Sequence, residues 1–228
     1  MKITLSKYIE ISELDYKDIN YETNIIEIGY DLSHGEIEEL NIDDFQTKIT
    51  NIDKQLSIRT IASNSKIDGN NLIFDTNSLT FGQYIDCEAY LKDKKYNEFL
   101  QVFFNLNNIN FYDSAISIFF NAYDEFTKFQ KLIFTSYKSL FGGIEEDINE
   151  EIEEELISPT KRFKDNQEKI KQEIQKKWSW HLICFNLSQK SIIKMDEVYS
   201  LNFIKVLNIL LMIKELEIDL SPTPYNQI

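Results

Sequence analysis

At 228 residues, 43% hydrophobic and 27% charged, the chain has the composition of a globular protein, one large domain or two small ones, rather than a disordered one. Six glycines and three prolines are too few for a sandwich or barrel with many tight turns. The net charge of −14 repels phosphate backbones, which argues against general DNA or RNA binding and leaves basic protein partners or plain solubility.

The first third is expected to be short helices. Ser33 followed by Glu36 makes a capping box for the turn that follows. Asn41 with Asp43 and Asp44 starts the next helix, where acids in the first turn complement the helix dipole. Ile42, Phe45, Ile49, Ile52 and Leu56 recur at three- and four-residue spacing as one apolar stripe. Residues 57–75 change character: β-branched residues on either side of Asp68-Gly69 predict a small β-hairpin. Thr80 with Gln83 is a second capping box, opening a helix that carries Phe81, Tyr84, Ile85 and Leu91.

Residues 95–141 are expected to be a helical pair. The segment YNEFLQVFFNL forms the first helix, NNIN the turn, and Asp113 starts a long helix running through Leu140 and Phe141, capped by Gly142-Gly143. Ten of the 16 phenylalanines lie between Phe99 and Phe141, which makes this pair the centre of the core. Glu145–Leu156 then holds eight acids in twelve residues. After Pro159, Lys161–Lys177 carries a local charge of +4, with Ile170, Ile174 and Trp178 along one stripe. The fold class is therefore mainly α, a multi-helix bundle with one small β-hairpin around residues 57–75. Residues 1–56 form an N-terminal short-helix subdomain and 57–228 the helical core domain, or the two form one continuous domain.

Chemistry is sparse. Trp178, Trp180, His181 and Cys184 fall within seven residues, just before the most apolar helical segment of the chain. His181 and Cys184 stand three apart, as helical metal ligands can, but a zinc site needs about four ligands and no nearby His or Cys completes it. The expected arrangement is core, with Trp178, Leu182, Cys184 and Phe185 inward and His181 at the margin. No Gly-rich nucleophile elbow, phosphate loop or metalloprotease motif is present, so the chain is read as non-enzymatic, without cofactor, metal or small-molecule substrate. Cys87 and Cys184 are expected to be buried free thiols in a reducing compartment. The first residues carry acids and no long apolar run, and Val206–Ile213 is too short for a membrane span, so neither a signal peptide nor a membrane partner is expected.

The aromatic stripes carry more information. Phe119, Tyr123, Phe126 and Phe134 cannot all be assigned to one narrow face of the long helix, because Phe120, Phe129 and Tyr137 fall on others. A helix apolar nearly all round is either enclosed by neighbours, the commoner case, or presents part of itself to a partner. Large aromatics also anchor helix-in-groove interfaces. Phe119, Tyr123, Phe126, Trp178 and Trp180 are the candidate partner-binding residues.

In order, IIEIGYDLSHGEIEELNIDDFQTKITNI (Ile25–Ile52), LTFGQYIDCEAYLKD (Leu79–Asp93) and KKWSWHLICFNLSQKSIIKMDEVYSLNFIKVLNILLMIKE (Lys176–Glu215) resemble tail assembly chaperones and other morphogenesis proteins of tailed bacteriophages. Ser188, Gln189 and Lys190 stand where that group often has glycines. The resemblance implies a non-enzymatic assembly protein of the host cytoplasm that binds another phage protein, such as the long helical tape-measure protein. The alternative it implies is a structural virion component, a ring or connector at the portal or tail, built as a homo-oligomer.

Overall fold

A computed structural model describes residues 2–57, 66–67, 69–73, 75–141 and 179–216. The chain is mainly helical. The described helices are α1 (Leu5–Glu13), α2 (Tyr21–Tyr30), α3 (His34–Glu38), α4 (Ile42–Ser57), α5 (Phe81–Lys92), α6 (Tyr96–Phe103), α7 (Ile116–Ser136), α8 (residues 179–187), α9 (Met195–Tyr199) and α10 (Phe203–Glu215). Short 3-10 turns at Thr76–Ser78 and Ile192–Lys194 precede α5 and α9. Gly142-Gly143, the acidic run Glu145–Leu156, the basic stretch Lys161–Lys177 and Trp178 lie outside the described residues.

Local capping chemistry sets the helix starts as expected. The Glu36 carboxylate accepts from the Ser33 backbone N–H at 2.8 Å and from its hydroxyl at 2.7 Å. Asn41 Oδ1 accepts from the Asp44 N–H at 2.8 Å. At α5 the exchange is reciprocal: the Thr80 N–H donates to Gln83 Oε1 at 3.0 Å and the Gln83 N–H to Thr80 Oγ1 at 3.2 Å. Of the predicted hairpin, the described residues pair as two-residue strands, β1 (Lys66–Ile67) and β2 (Asn70–Asn71), antiparallel with Ile67 opposite Asn70, while residues 58–65, 68 and 74 lie outside the described residues. Gly69, just before β2, adopts a φ of +81° that glycine accommodates without strain.

Two compact units divide the chain, with boundaries inside α5 and α7. The first comprises Met1–Thr76 and Asp86–Lys131, so residues 1–56 share a unit with α6 and most of α7. Here α2 packs against α1, α3 and α4. Ile3, Leu5, Ile26 and Ile52 are fully buried. A Cβ on Gly29 would lie 2.7 Å from Ile52 Cδ1 and 3.6 Å from Ile3 Cδ1, so glycine permits this close approach. The α4 stripe is buried most deeply at Ile52, whereas Ile42 at the first position is 80% exposed.

α7 begins three residues later than the Asp113 start predicted. A turn at residues 112–114 and an isolated antiparallel bridge between Ala115 and Thr4 come first, tied to the N-terminal segment: Leu5 N–H donates to Ser114 C=O, Ser6 N–H to Tyr112 C=O, and Ile116 N–H to Ile3 C=O, at 3.0–3.1 Å. The preceding loop is tied to α6, where buried Asn97 accepts from the Phe111 N–H at 2.8 Å and Gln101 donates to Ile109 C=O at 2.7 Å.

The second unit comprises Asn77–Ile85 and Leu132–Ile228. α7 ends at Ser136 rather than continuing through Phe141, because the turns that follow bond to α10: the Tyr137 hydroxyl donates to Asn208 Oδ1 at 2.7 Å, and the Lys214 ammonium to Ser139 C=O. The starts of α5 and α10 are joined in the same way. Phe81 N–H donates to Leu201 C=O at 2.7 Å, Phe203 N–H to Leu79 C=O at 2.9 Å, and Asn202 Nδ2 to Asn77 C=O at 2.7 Å. No helix among the described residues is long and apolar enough to cross a membrane.

Candidate partner-binding surface

Aromatic rings dominate both units. In the second, Phe81, Tyr84 and Phe203 are fully buried. Tyr84 and Phe203 stack at 3.8 Å with planes 10° apart, and the Trp180 ring meets them edge-on at 5.6 Å each. Phe81 joins the same group, 6.0 Å from Phe203 and 5.8 Å from Trp180. Trp180 is half-buried by these contacts and by Phe141 at 6.0 Å. Its ring is part of a packed cluster, with only a margin left to solvent. Trp178 lies outside the described residues.

The first unit splits the other three candidates. Phe119 and Phe126 are buried, at 4% and 0% exposure, while Tyr123 between them is 43% exposed. At 100° per residue, Tyr123 is rotated roughly 40° from Phe119 and 60° from Phe126, which sets it at the edge of their stripe. Phe99 meets Phe126 edge-on at 5.8 Å and Phe119 at 6.2 Å. Outward from Phe119 the rings become phenols: Tyr96 at 4.6 Å, Tyr8 at 5.9 Å and Tyr123 at 6.0 Å. Burial raises the Tyr96 phenol above the ordinary tyrosine value, and the neighbouring Tyr8 and Tyr123 phenols raise it further. The cluster is thus buried at Phe119 and Phe126, half-buried at Tyr8 and Tyr96, and open to solvent at Tyr123. Phe119 and Phe126 offer a partner no surface in this fold.

The residues with chemical potential are engaged elsewhere. His181 Nδ1 and the Tyr199 hydroxyl lie 2.7 Å apart, so the imidazole sits against α9. Cys184 is fully buried, and its thiol donates to the Met195 carbonyl at 3.6 Å. Burial pushes that thiol upward and Asp196 adds to the shift, against a lowering contribution from the Tyr199 hydrogen bond. Cys87 is pushed far higher by burial and then by Asp86 and Glu88. Both thiols are free and buried, held in the protonated form that is a poor nucleophile. Leu182, expected to pack inward, is 49% exposed. α8 directs Cys184 inward, and residue 182, two positions earlier, falls on the opposite side of the helix. Among the described residues no three His, Cys, Asp or Glu side chains come close enough to hold a metal ion. An open depression of about 290 Å³ is lined by Lys2, Lys7, Gly29, Tyr30 and Asp31. Lys7 bonds across it to Gly29 C=O at 3.1 Å and to the Asp31 carboxylate at 2.5 Å.

Tyr123 therefore combines features of an interface anchor: a large ring, one side packed on a rigid buried cluster, the other open to solvent. Its position at the edge of the buried stripe was not readable from sequence periodicity. Compared with protein-family models, with curated proteins and with solved structures, the chain finds no match.

Proposed function

We propose that the protein is a non-enzymatic assembly factor of the tail-assembly-chaperone kind, which binds a long helical partner such as a phage tape-measure protein in the host cytoplasm. The observation that carries this reading is the exposed Tyr123 ring, continuing the buried Phe119–Phe126 cluster onto the surface. A helix laid across it would bury apolar area against side chains already held in place, so little ordering entropy opposes binding. The net charge of −14 suits a protein that keeps an aggregation-prone partner in solution. A self-associating virion component is the second reading, favoured by Ile192 and Ile193, which are 77% and 89% exposed on one turn.

Tyr123→Ser tests the first reading. Binding of a purified tape-measure-type helical protein, followed by fluorescence anisotropy, is expected to weaken about tenfold or more. Thermal stability should stay nearly unchanged, because the ring is already partly solvated. Undiminished binding by Tyr123→Ser would remove the anchor, and stoichiometric recovery of the protein from mature particles by mass spectrometry would favour the virion component instead.

A further inference from the structure

The loop between α1 and α2, Leu14–Asn20, presents two apolar side chains where polar ones would be expected. Tyr16 is 72% exposed and Ile19 is 96% exposed. Isoleucine is among the residue types most often fully buried, and Ile19 has almost no protein contact. The loop that carries them is internally bonded. Asp15 Oδ1 accepts from the Lys17 N–H at 2.9 Å, and Asp18 Oδ1 from the Asn20 N–H at 2.9 Å. The Asp18 N–H donates to Asp15 C=O at 2.9 Å and the Tyr21 N–H to Asp18 C=O at 3.0 Å. Lys17 lies 5.5 Å from the centre of the Tyr16 ring. The two apolar side chains are consequently presented by a preorganised turn.

Charge selects the occupant. Glu10, Glu13, Asp15, Asp18 and Glu22 are all exposed around the loop, against Lys17 alone. This local field has the same sign as the −14 of the whole chain, so long-range steering and short-range contact both favour a cation. Anionic membranes, nucleic acids and a second copy of this acidic loop are repelled by the same field.

We infer that Leu14–Asn20 is a docking knob for a basic protein surface, one that receives Tyr16 and Ile19 in an apolar pocket rimmed by lysine or arginine. It is a second surface, independent of Tyr123 and of the assembly role proposed above.

The probe is a synthetic amphipathic helix of about 20 residues with a leucine stripe flanked by lysines; a matched peptide with glutamates in place of the lysines is the control. Anisotropy titration at low salt, with amide shifts mapped by NMR, should show the lysine peptide binding with its footprint on residues 14–20. The double variant Tyr16→Ser/Ile19→Ser should bind roughly tenfold more weakly. Asp15→Asn/Asp18→Asn keeps the side-chain acceptors that hold the turn and removes two charges, so it should bind a few-fold more weakly and with a shallower salt dependence. Four results would each overturn the proposal: no binding of the lysine peptide, full-strength binding by the Tyr16/Ile19 variant, equal binding of the glutamate peptide, or a footprint centred elsewhere. Binding to phosphatidylserine vesicles without peptide binding would do the same and would assign the loop to a lipid surface.

Discussion

Phe203→Ala is expected to lower the stability of the second unit by about 3–5 kcal/mol, the usual cost of emptying a buried aromatic site. The side chain is fully buried, stacks on Tyr84 at 3.8 Å, and lies within 6.0 Å of Phe81 and 5.6 Å of Trp180. Its removal takes away apolar burial and also the contacts that three rings make with it. Each such ring pair adds roughly 0.5–1.5 kcal/mol beyond area. The cavity cannot close cheaply, because the Phe203 N–H is tied to Leu79 C=O and the Phe81 N–H to Leu201 C=O, fixing the backbones that carry the rings. Phe203→Leu, which retains most of the volume, should cost less, about 1.5 kcal/mol. Urea denaturation followed by tryptophan fluorescence checks both values, since Trp180 is one of the rings in the cluster. A loss below about 1 kcal/mol for the alanine variant would show that the stack is not a determinant of stability.

Phe126→Ala should have an effect of the same size, about 3–5 kcal/mol, in the first unit. Phe126 is fully buried and meets Phe99 edge-on at 5.8 Å; Phe99 in turn contacts Phe103 at 5.6 Å and Phe119 at 6.2 Å. Tyr123 sits on the same helix three residues earlier. Its replacement by serine should change stability by no more than about 1 kcal/mol, as an already half-solvated ring forfeits little burial. The contrast between neighbouring positions identifies which side of α7 is core. Because the two units need not unfold together, amide hydrogen exchange within residues 86–131 is a better reporter for this pair than a global melt.

Features whose chemistry is local were legible in the sequence. The capping boxes at Ser33–Glu36 and Thr80–Gln83 and the Asn41–Asp44 cap depend on residues within three positions of one another, so composition and spacing sufficed. Features set by distant partners were not. Nothing near Asp113 announces that Ser114 and Ile116 pair with Leu5 and Ile3, which moves the start of α7. Nothing near Tyr137 announces Asn208, which helps to hold the turn beyond Ser136. The width of the buried arc on α7 depends on α6 and α1, whose rings cover Phe119 and Phe126 and leave Tyr123 open, and the sequence of α7 does not contain it. Tyr16 and Ile19 escaped notice because two apolar residues in a polar loop produce no period at all.

The claim that these rings exist to be covered, by the protein's own helices or by another polypeptide, is tested most directly by hydrogen-exchange mass spectrometry with and without a tape-measure-type helical protein. Amides of α6 and of the Phe119–Phe126 segment should be strongly protected in the free chain, with added protection around Tyr123 once the helical protein is present. Rapid exchange across Phe99–Phe126 in the free chain, or no change around Tyr123 at saturating partner, would contradict it.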